Sequence, residues 1–444
     1  MITAADLAVK SLGPCRIDSP LKPLIESRHT SEYYVAEDDR VFFHDTARLA
    51  LATGCSVEDL PGFEPAGPRR SIFFDPAKMR VGIVTCGGLC PGLNDVIRGI
   101  VMELSHHYDV QRIYGFRNGY QGFIPKYGHD VLDLTPAGVS NIDEDGGTIL
   151  GTSRGSQDPH EIVDCLERMN INALFVIGGD GTIRGAMAIA AAVAERGQKI
   201  AVVGIPKTID NDIPYIDQSF GFQTAFAEAT RSIQAAHVEA KAAPNGVGLV
   251  KLMGRHSGFI ACYASLAEPD ANYVLIPEVP FLLEGPDGLL EHLLKRVKTR
   301  GHALIVVAEG AGQDLLAVRG DGATAGVDAS GNQKLADIGN YLRQRIADHF
   351  VAAGVELNIK FVDPSYMIRS VPANPYDSVY CLRLAQNAVH AAMAGRTEMV
   401  IGRWHGRYVH IPMPLAVSRR NQVSPDGDLW LAVLEATGQP HTFG

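Results

Sequence analysis

An α/β protein built on parallel sheets is what this sequence predicts, and three observations carry the prediction. Short apolar segments of four to six residues, partly β-branched and without strict alternation, recur along the chain. Strands covered on both faces read this way. Helix-length stretches separate them, in the strand, turn, helix, strand succession that parallel sheets require. Glycines, acids and cations gather just past the apolar segments, at the edge where open parallel sheets bind ligands.

Residues 1–78 come first and carry mixed signals: several prolines, the acidic patch Glu37-Asp38-Asp39 and a turn-rich stretch from Pro61 to Pro68. They predict an irregular N-terminal extension draped over a domain or left as an arm, with no chemistry assigned. From Arg80 the pattern changes. Strands are predicted at Val81–Val84, Ala173–Ile177, Ile200–Val203, Val247–Leu252, Tyr273–Ile276 and Ala303–Val307, with helices over such stretches as Gly185–Arg196 and Gln223–Lys241.

Composition bounds the rest. A chain of 444 residues, 46% hydrophobic and 20% charged, has material for two or three domains. The longest apolar run, Ala186–Ala194, has nine residues, well short of a membrane span. The first residues lack the basic-then-apolar pattern of a secretory signal, so a cytoplasmic protein is expected. Seven cysteines, an odd number, form no disulfide framework, and Cys86 and Cys90 are spaced wrongly for a CxxC pair. A net charge of -10 argues against nucleic-acid or anionic-membrane partners. It leaves room for small anionic substrates held by local cations. The 46 glycines exceed the usual share of about 7%, and no low-complexity tract holds them, so many tight turns are expected.

The chemistry sits at the strand ends. Val81–Val84 runs into Cys86-Gly87-Gly88 and then Pro91-Gly92-Leu93-Asn94, with a helix expected near Asn94; glycine lets backbone N–H groups approach a phosphate. This is neither the G-x-G-x-x-G dinucleotide spacing nor a Walker loop. Gly178-Gly179-Asp180-Gly181-Thr182 is more specific. It brings two glycines, a carboxylate, a third glycine and a hydroxyl to a helix start, which suits polyphosphate with Mg²⁺, although Asp180 also reads as a helix cap. Lys207-Thr208-Ile209-Asp210-Asn211-Asp212 offers two carboxylates. Asp210 could accept a hydroxyl proton, Asp212 could serve the metal or brace the loop, and a capped turn is the plain alternative. Met253-Gly254-Arg255 and Tyr366-Met367-Ile368-Arg369 supply arginine forks suited to phosphate oxygens, with Glu309 and Lys360 beside them in the pattern. Any one junction reads equally well as an ordinary turn; five together favour a site. Gly151-Thr152-Ser153-Arg154-Gly155 matches G-x-S-x-G, but no strongly apolar strand feeds it and no Ser-Asp-His order follows. The histidines show no helical zinc pattern.

Taken in order, Gly-Gly-x-x-Pro-Gly-x-Asn from Gly87, Gly-Gly-Asp-Gly-Thr from Gly178, Pro-Lys-Thr-Ile-Asp-Asn-Asp from Pro206, Met-Gly-Arg from Met253 and Pro-Glu-Val-Pro-Phe from Pro277 resemble the phosphofructokinase family, over roughly Arg80 to Trp404. The N-terminal extension and Tyr366–Arg369 are similar to its ATP-dependent plant and trypanosomatid branch. The resemblance implies transfer of the ATP γ-phosphoryl to the 1-hydroxyl of fructose 6-phosphate, a glycolytic step, with Mg²⁺. It implies ATP contacts for Gly87, Arg154, Gly155, Gly179, Asp180, Gly181 and Thr182, with Asp180 serving the metal. It makes Asp210 the general base, with Thr208 and Ile209 on the same substrate loop. Fructose 6-phosphate falls to Met253, Gly254, Arg255, Glu309, Tyr366, Met367, Ile368 and Arg369.

Gly181 and Lys207 bear on the phosphoryl donor. Pyrophosphate-dependent relatives carry an aspartate where Gly181 stands, which would fill the space of the ATP α-phosphate. Lys207, however, is the residue those same enzymes have before the base. Steric and like-charge exclusion outweighs a lysine that can serve either donor, so ATP is expected and pyrophosphate is the alternative. A NAD or diacylglycerol type of kinase, or a nucleotide-binding regulatory subunit, is a remoter reading. Gly246 and Lys360 stand where short bacterial enzymes have cross-subunit arginines, and Arg117 stands where they have an adenine-stacking tyrosine. The expected architecture is two Rossmann-like three-layer α/β domains with mainly parallel sheets and a cleft between them, in a homo-oligomer (dimer or tetramer). Nucleotide is expected on 79–220, completed by about 368–410, and sugar phosphate on 221–367, followed by a C-terminal tail, 411–444.

Overall fold

The structure, a computed structural model, describes residues 2–22, 34–52, 54, 56, 60–317, 326 and 334–444. The chain divides into two compact units. The first comprises Met1–Thr208, Ile213–Gly221 and Val371–Arg419, and the second Ile209–Asp212, Phe222–Ser370 and Arg420–Gly444.

Strands of the two main sheets, numbered along the chain, are β1 Val41–Phe42, β2 Gly62–Pro65, β3 Arg80–Thr85, β4 Arg112–Phe116, β5 Val131–Asp133, β6 Ala173–Gly178 and β7 Ala201–Pro206. They continue with β8 Gly246–Leu252, β9 Tyr273–Leu275, β10 His302–Ala308, β11 Asn358–Val362, β12 Met399–Trp404 and β13 Arg407–Pro412. All six strands expected from the sequence are present.

The sheet of the first unit has the order β1-β2-β13-β12-β7-β6-β3-β4-β5. Its five inner strands, β12, β7, β6, β3 and β4, run parallel, with antiparallel strands on both flanks. Val81, Ile83, Val84, Phe175, Ile177 and Val202 are fully buried, as strands covered on both faces must be. The helix Leu93–His106 returns the chain from β3 towards β4 and buries Val96, Ile97, Ile100, Val101 and Leu104. Each such side chain contributes roughly 1.5–3 kcal/mol of apolar burial. Gly99 lets this helix press on the helix Pro375–Met393, where a β-carbon at 99 would lie 2.7 Å from Ala385 Cβ.

The helix expected from Gly185 begins earlier and runs Asp180–Glu195. Gly179 caps it, Asp180 places a carboxylate against the positive helix end, and Gly185 leaves room for the Tyr120 ring, 2.6 Å from where a β-carbon would stand. The extension before residue 79 is no separate body among its described residues. β2 pairs with β13 and carries the sheet outwards, and Phe63 is fully buried. Nor is the chain after 410 a tail. β13 continues to Pro412, and the helix Asp428–Thr437 in the second unit sinks Trp430 to 1% exposure. Apolar side chains at Phe63, Trp430 and Val433 give both segments a reason to pack.

The second unit holds a four-stranded, all-parallel sheet ordered β9-β10-β8-β11. Val247, Leu249, Ile305 and Val307 pack against Leu289, Leu290, Leu293 and Leu294 of the helix Leu289–Arg300. Gly246 is there for want of space, since a β-carbon would collide with the Ala240 carbonyl. No helix among the described residues is long and apolar enough to cross a membrane.

Candidate active site

In the first unit the parallel register brings three strand ends level: Thr85 of β3 lies opposite Ile177 of β6, and Gly178 of β6 opposite Pro206 of β7. From β3 the chain moves to β4 on one side, and from β6 to β7 on the other. The boundary between β3 and β6 is therefore the switch point, where parallel sheets open a crevice for ligands. Both glycine motifs leave from it.

Gly87 has a left-handed φ of 87°, which glycine adopts without strain. Its N–H donates to the Ser153 carbonyl at 3.1 Å, and Thr152 Oγ1 donates to the Gly87 carbonyl at 2.6 Å. The Gly151–Gly155 segment is thus docked on the first glycine loop, with Arg154 exposed beside it. A hydrolase reading finds nothing here, because no strand delivers Ser153. Gly179 ends the approach of β6, and Asp180, Gly181 and Thr182 form the first turn of the following helix, whose amide groups face the strand ends. Asp180 lies 3.2 Å from Arg184, one turn on. Thr182 is fixed by the buried Tyr120 hydroxyl, which donates to its carbonyl at 2.7 Å. A β-carbon at Gly181 would meet nothing within 4 Å. Lys207 is buried and donates from Nζ to the Gly88 carbonyl at 2.6 Å, tying the end of β7 to the first loop. Thr208 closes this set, its carbonyl accepting from Ser219 Oγ. Arg117 is exposed past the end of β4.

The second unit gathers the other expected residues. Leu252 of β8 is level with Ala308 of β10, so Met253-Gly254-Arg255 and Glu309 leave from the same sheet edge. The two loops are stitched by Glu309 N–H to the Leu252 carbonyl at 2.9 Å and Gly310 N–H to the Gly254 carbonyl at 3.1 Å. Gly310 has no room for a side chain against the Arg255 carbonyl. Beyond β11, Ile368 is buried while Tyr366 and Met367 are 73% and 71% exposed, and the Arg369 guanidinium lies 4.9 Å over the Tyr366 ring. Lys360 points to Glu239 at 3.8 Å.

Ile209–Asp212 also belongs to this unit. Ser257 Oγ donates to the Asp210 carbonyl at 2.8 Å, and Asn211 adopts a left-handed φ of 54°. Oδ1 of Asp210 is sealed from solvent. Burial, and then the negative charges of Asp212 and Glu309, push its carboxyl up to about 8, with a backbone hydrogen bond from Arg255 and that residue's charge pulling the other way. Burial likewise raises Glu309, against Arg255 and Lys251. This is a carboxyl with the proton affinity of a base that works near neutral pH. The Lys207–Asp212 motif is therefore shared: Lys207 and Thr208 stand in the first unit, and Ile209 to Asp212 in the second. Sequence reasoning missed Ser257 and Arg420–Val423, which hold these loops, and quoted Glu278 in the Pro277–Phe281 motif without a role. Each is an ordinary polar or turn residue where it stands, and only the fold gives it a partner.

Among the described residues no group of three or more His, Cys, Asp or Glu is arranged to hold a metal ion.

Comparison with known proteins identifies the family. The family model described as phosphofructokinase matches residues 80–392. A protein of Amycolatopsis methanolica called ATP-dependent 6-phosphofructokinase is 57% identical over 99% of this chain and 96% of its own. One of the same description from Borreliella burgdorferi is 48% identical over 98% and 97%, and ATP-dependent 6-phosphofructokinase 7 of Arabidopsis thaliana is 50% identical over 86% and 78%. Among solved structures, the Pichia pastoris phosphofructokinase superposes with a TM-score of 0.62 at 22% identity, covering 81% of this chain and 37% of that one. A pyrophosphate-dependent phosphofructokinase from Marinobacter aquaeolei gives 0.65 at 19% identity, covering 82% and 93%. At those identities the two structures speak for the fold alone. With a family model spanning most of its length and relatives near half identity end to end, the chain belongs to the phosphofructokinase family.

Proposed function

We propose that this chain transfers the γ-phosphoryl group of ATP to the 1-hydroxyl of fructose 6-phosphate, yielding fructose 1,6-bisphosphate, with Asp210 as general base. The observation that carries the reading is the Asp210 carboxyl, its Oδ1 closed off from solvent and its proton affinity raised to about 8, on a loop beside Arg255 and Glu309. The near full-length relatives called ATP-dependent 6-phosphofructokinase support the same substrates.

In this reading the Gly87 and Gly179–Thr182 backbone amides cradle the nucleotide phosphates, with Arg154 and Gly155 beside them. Asp180, at a helix start and ion-paired to Arg184, is the side chain that would hold Mg²⁺. The cation supplies charge neutralisation on the transferred group. Arg255 and Arg369 hold the 6-phosphate, Glu309 accepts a sugar hydroxyl hydrogen bond, and Met253, Gly254 and Tyr366–Ile368 shape the sugar contact. Asp210 takes the 1-hydroxyl proton as its oxygen attacks phosphorus. Catalysis of this kind is chiefly positioning and electrostatics.

Open space at Gly181 supports ATP as donor, since an acidic side chain there is the feature expected of pyrophosphate enzymes. Lys207, bonded to the Gly88 carbonyl, braces the loop whichever donor is used. The test is a donor swap on purified protein, following fructose 1,6-bisphosphate formation with ATP and with pyrophosphate. Higher kcat/KM with pyrophosphate would overturn the donor assignment, and no product with either would overturn the reaction.

A further inference from the structure

Four consecutive residues outside every motif, Arg420 to Val423, bond in turn to the functional loops of the second unit. Arg420 Nη1 donates to Asp212 Oδ2 at 2.8 Å. The Asn421 N–H donates to the Asp212 carbonyl at 2.8 Å, and its Nδ2 to the Asn211 carbonyl at 3.2 Å. Gln422 Nε2 donates to the His256 carbonyl at 2.8 Å, next to Arg255. The Val423 N–H donates to Glu278 Oε1 at 2.8 Å.

Glu278 is the fastener. The same Oε1 accepts the Gly258 N–H at 2.9 Å, at the start of the helix Phe259–Ala267, so one carboxyl oxygen joins the segment to the end of the Met253–Gly258 loop. Glu278 stands in the Pro277–Phe281 motif, to which the reaction gives no role. Burial raises its carboxyl, and backbone amides of Val423 and Gly258 offset that. The loop is held from both sides. Asn211 holds a left-handed φ, which asparagine tolerates better than most side chains, and the carbonyls around it are bonded. Ser257 pins the Asp210 carbonyl, and Asn421 pins the Asn211 and Asp212 carbonyls.

We propose that Arg420–Val423, fastened through Glu278, is a positioning strap that fixes the Asp210 carboxyl for proton transfer, with Arg420 acting through Asp212. The inference rests on Asp210 being the base. Arg420 and Asn421 touch neither substrate in this account, so their loss should tell on turnover and leave ATP binding alone.

The test compares Arg420→Ala, Arg420→Lys, Asn421→Ala and Asp210→Asn in the full chain, by steady-state kinetics and thermal unfolding. Misplacing a reacting group costs up to about a hundredfold, so Arg420→Ala should lower kcat roughly tenfold or more. The KM for ATP should stay within about twofold, since no uniform binding interaction is lost. Arg420→Lys, which keeps the charge opposite Asp212, should recover most of the kcat. A kcat for Arg420→Ala near that of the unaltered protein, or a lysine variant as impaired as the alanine one, would overturn the strap. If Arg420→Ala unfolds, Asn421→Ala decides, and full turnover in that variant would also overturn it. Asp210→Asn separates the two claims: if it keeps its turnover, the base assignment itself fails; if it alone is inactive, only the strap fails.

Discussion

Asp210→Asn should move stability and activity in opposite directions with pH. The Asp210 carboxyl is raised from 3.8 to about 8, first by burial and then by Asp212 and Glu309. Below pH 4 it is protonated in both the folded and the unfolded chain. Between 4 and 8 the unfolded chain releases a proton that the folded chain keeps, so this residue's stabilising contribution is complete at low pH and is lost as pH rises towards 8. About four units at ~1.4 kcal/mol each set a ceiling of roughly 5–6 kcal/mol. Water entry and side-chain movement absorb much of that, so about 2 kcal/mol is the working expectation, or ~4–8 °C in the melting temperature of a unit this size. Asparagine cannot ionise, and its variant should lack this component. The assay is thermal unfolding of unliganded protein and variant at pH 5.5 and 8.5, with kcat/KM for fructose 6-phosphate followed across the same range. The variant should gain on the parent by several degrees at the higher pH. Its kcat should be lower by ~10²–10⁴, and the parent's kcat/KM should climb with pH to a plateau above about 8. Parallel melting curves within 1 °C at both pH values, or a variant kcat within about tenfold of the parent, would refute the reasoning.

Further outcomes follow from single contacts. Arg255→Ala should raise the fructose 6-phosphate KM by ~10–100-fold with little change for ATP, as expected when one arginine–phosphate fork is lost. Because the Arg255 charge holds the Asp210 carboxyl down, the rise of kcat/KM should also move to higher pH, whereas Glu309→Gln should move it lower; shifts in the same direction would contradict the charge balance. Gly181→Asp should fold normally, since a β-carbon there meets nothing within 4 Å, yet raise the ATP KM about tenfold or more through exclusion and repulsion. Gly181→Ala should leave ATP use unchanged. In the first unit, Glu64 Oε1 accepts from Arg69, Arg396 and His410 at 2.7, 2.8 and 3.2 Å. Burial alone would raise its carboxyl, but the His410 hydrogen bond and charge, then Arg396, hold it at about 2. Glu64→Gln leaves buried Arg69 with only the more distant Glu37 carboxylate, at 3.5 Å, and should cost ~3 kcal/mol near neutral pH. The deficit should shrink as pH falls from 4.5 towards 2, because the parent loses its carboxylate there; a deficit constant down to pH 3 would count against it.

Half of the fold was legible because its physics is local. Strands β3, β6, β7, β8, β9 and β10 are apolar runs buried on both faces, and such runs announce themselves without knowledge of neighbours. β11, Asn358–Val362, is only half-buried along its length and carries Lys360, so it has no such run. β12 and β13 form a hairpin closed at Trp404 opposite Arg407, with His405 and Gly406 both at positive φ, 50° and 78°. That is the conformation an Asn-Gly pair usually signals, and His-Gly does not signal it.

The site divides along the same line. Gly87, Asp180, Asp210 and Arg255 were readable as residue types on loops because a phosphate-cradling turn writes itself in contiguous glycines. What makes Asp210 a base is only partly contiguous. Burial raises its proton affinity first and Asp212 next, and Glu309 and Arg255 adjust it from the ends of β10 and β8. Its place depends on Ser257 and on a segment 208 positions beyond Asp212, where Arg420 and Asn421 look like any surface pair. A motif can therefore name the acid while saying nothing of its charge state. Two sequences identical over Thr208–Asp212 would differ as catalysts if residue 309 or 420 differed, which is why the substitutions most informative about this site lie outside the loop that contains the base.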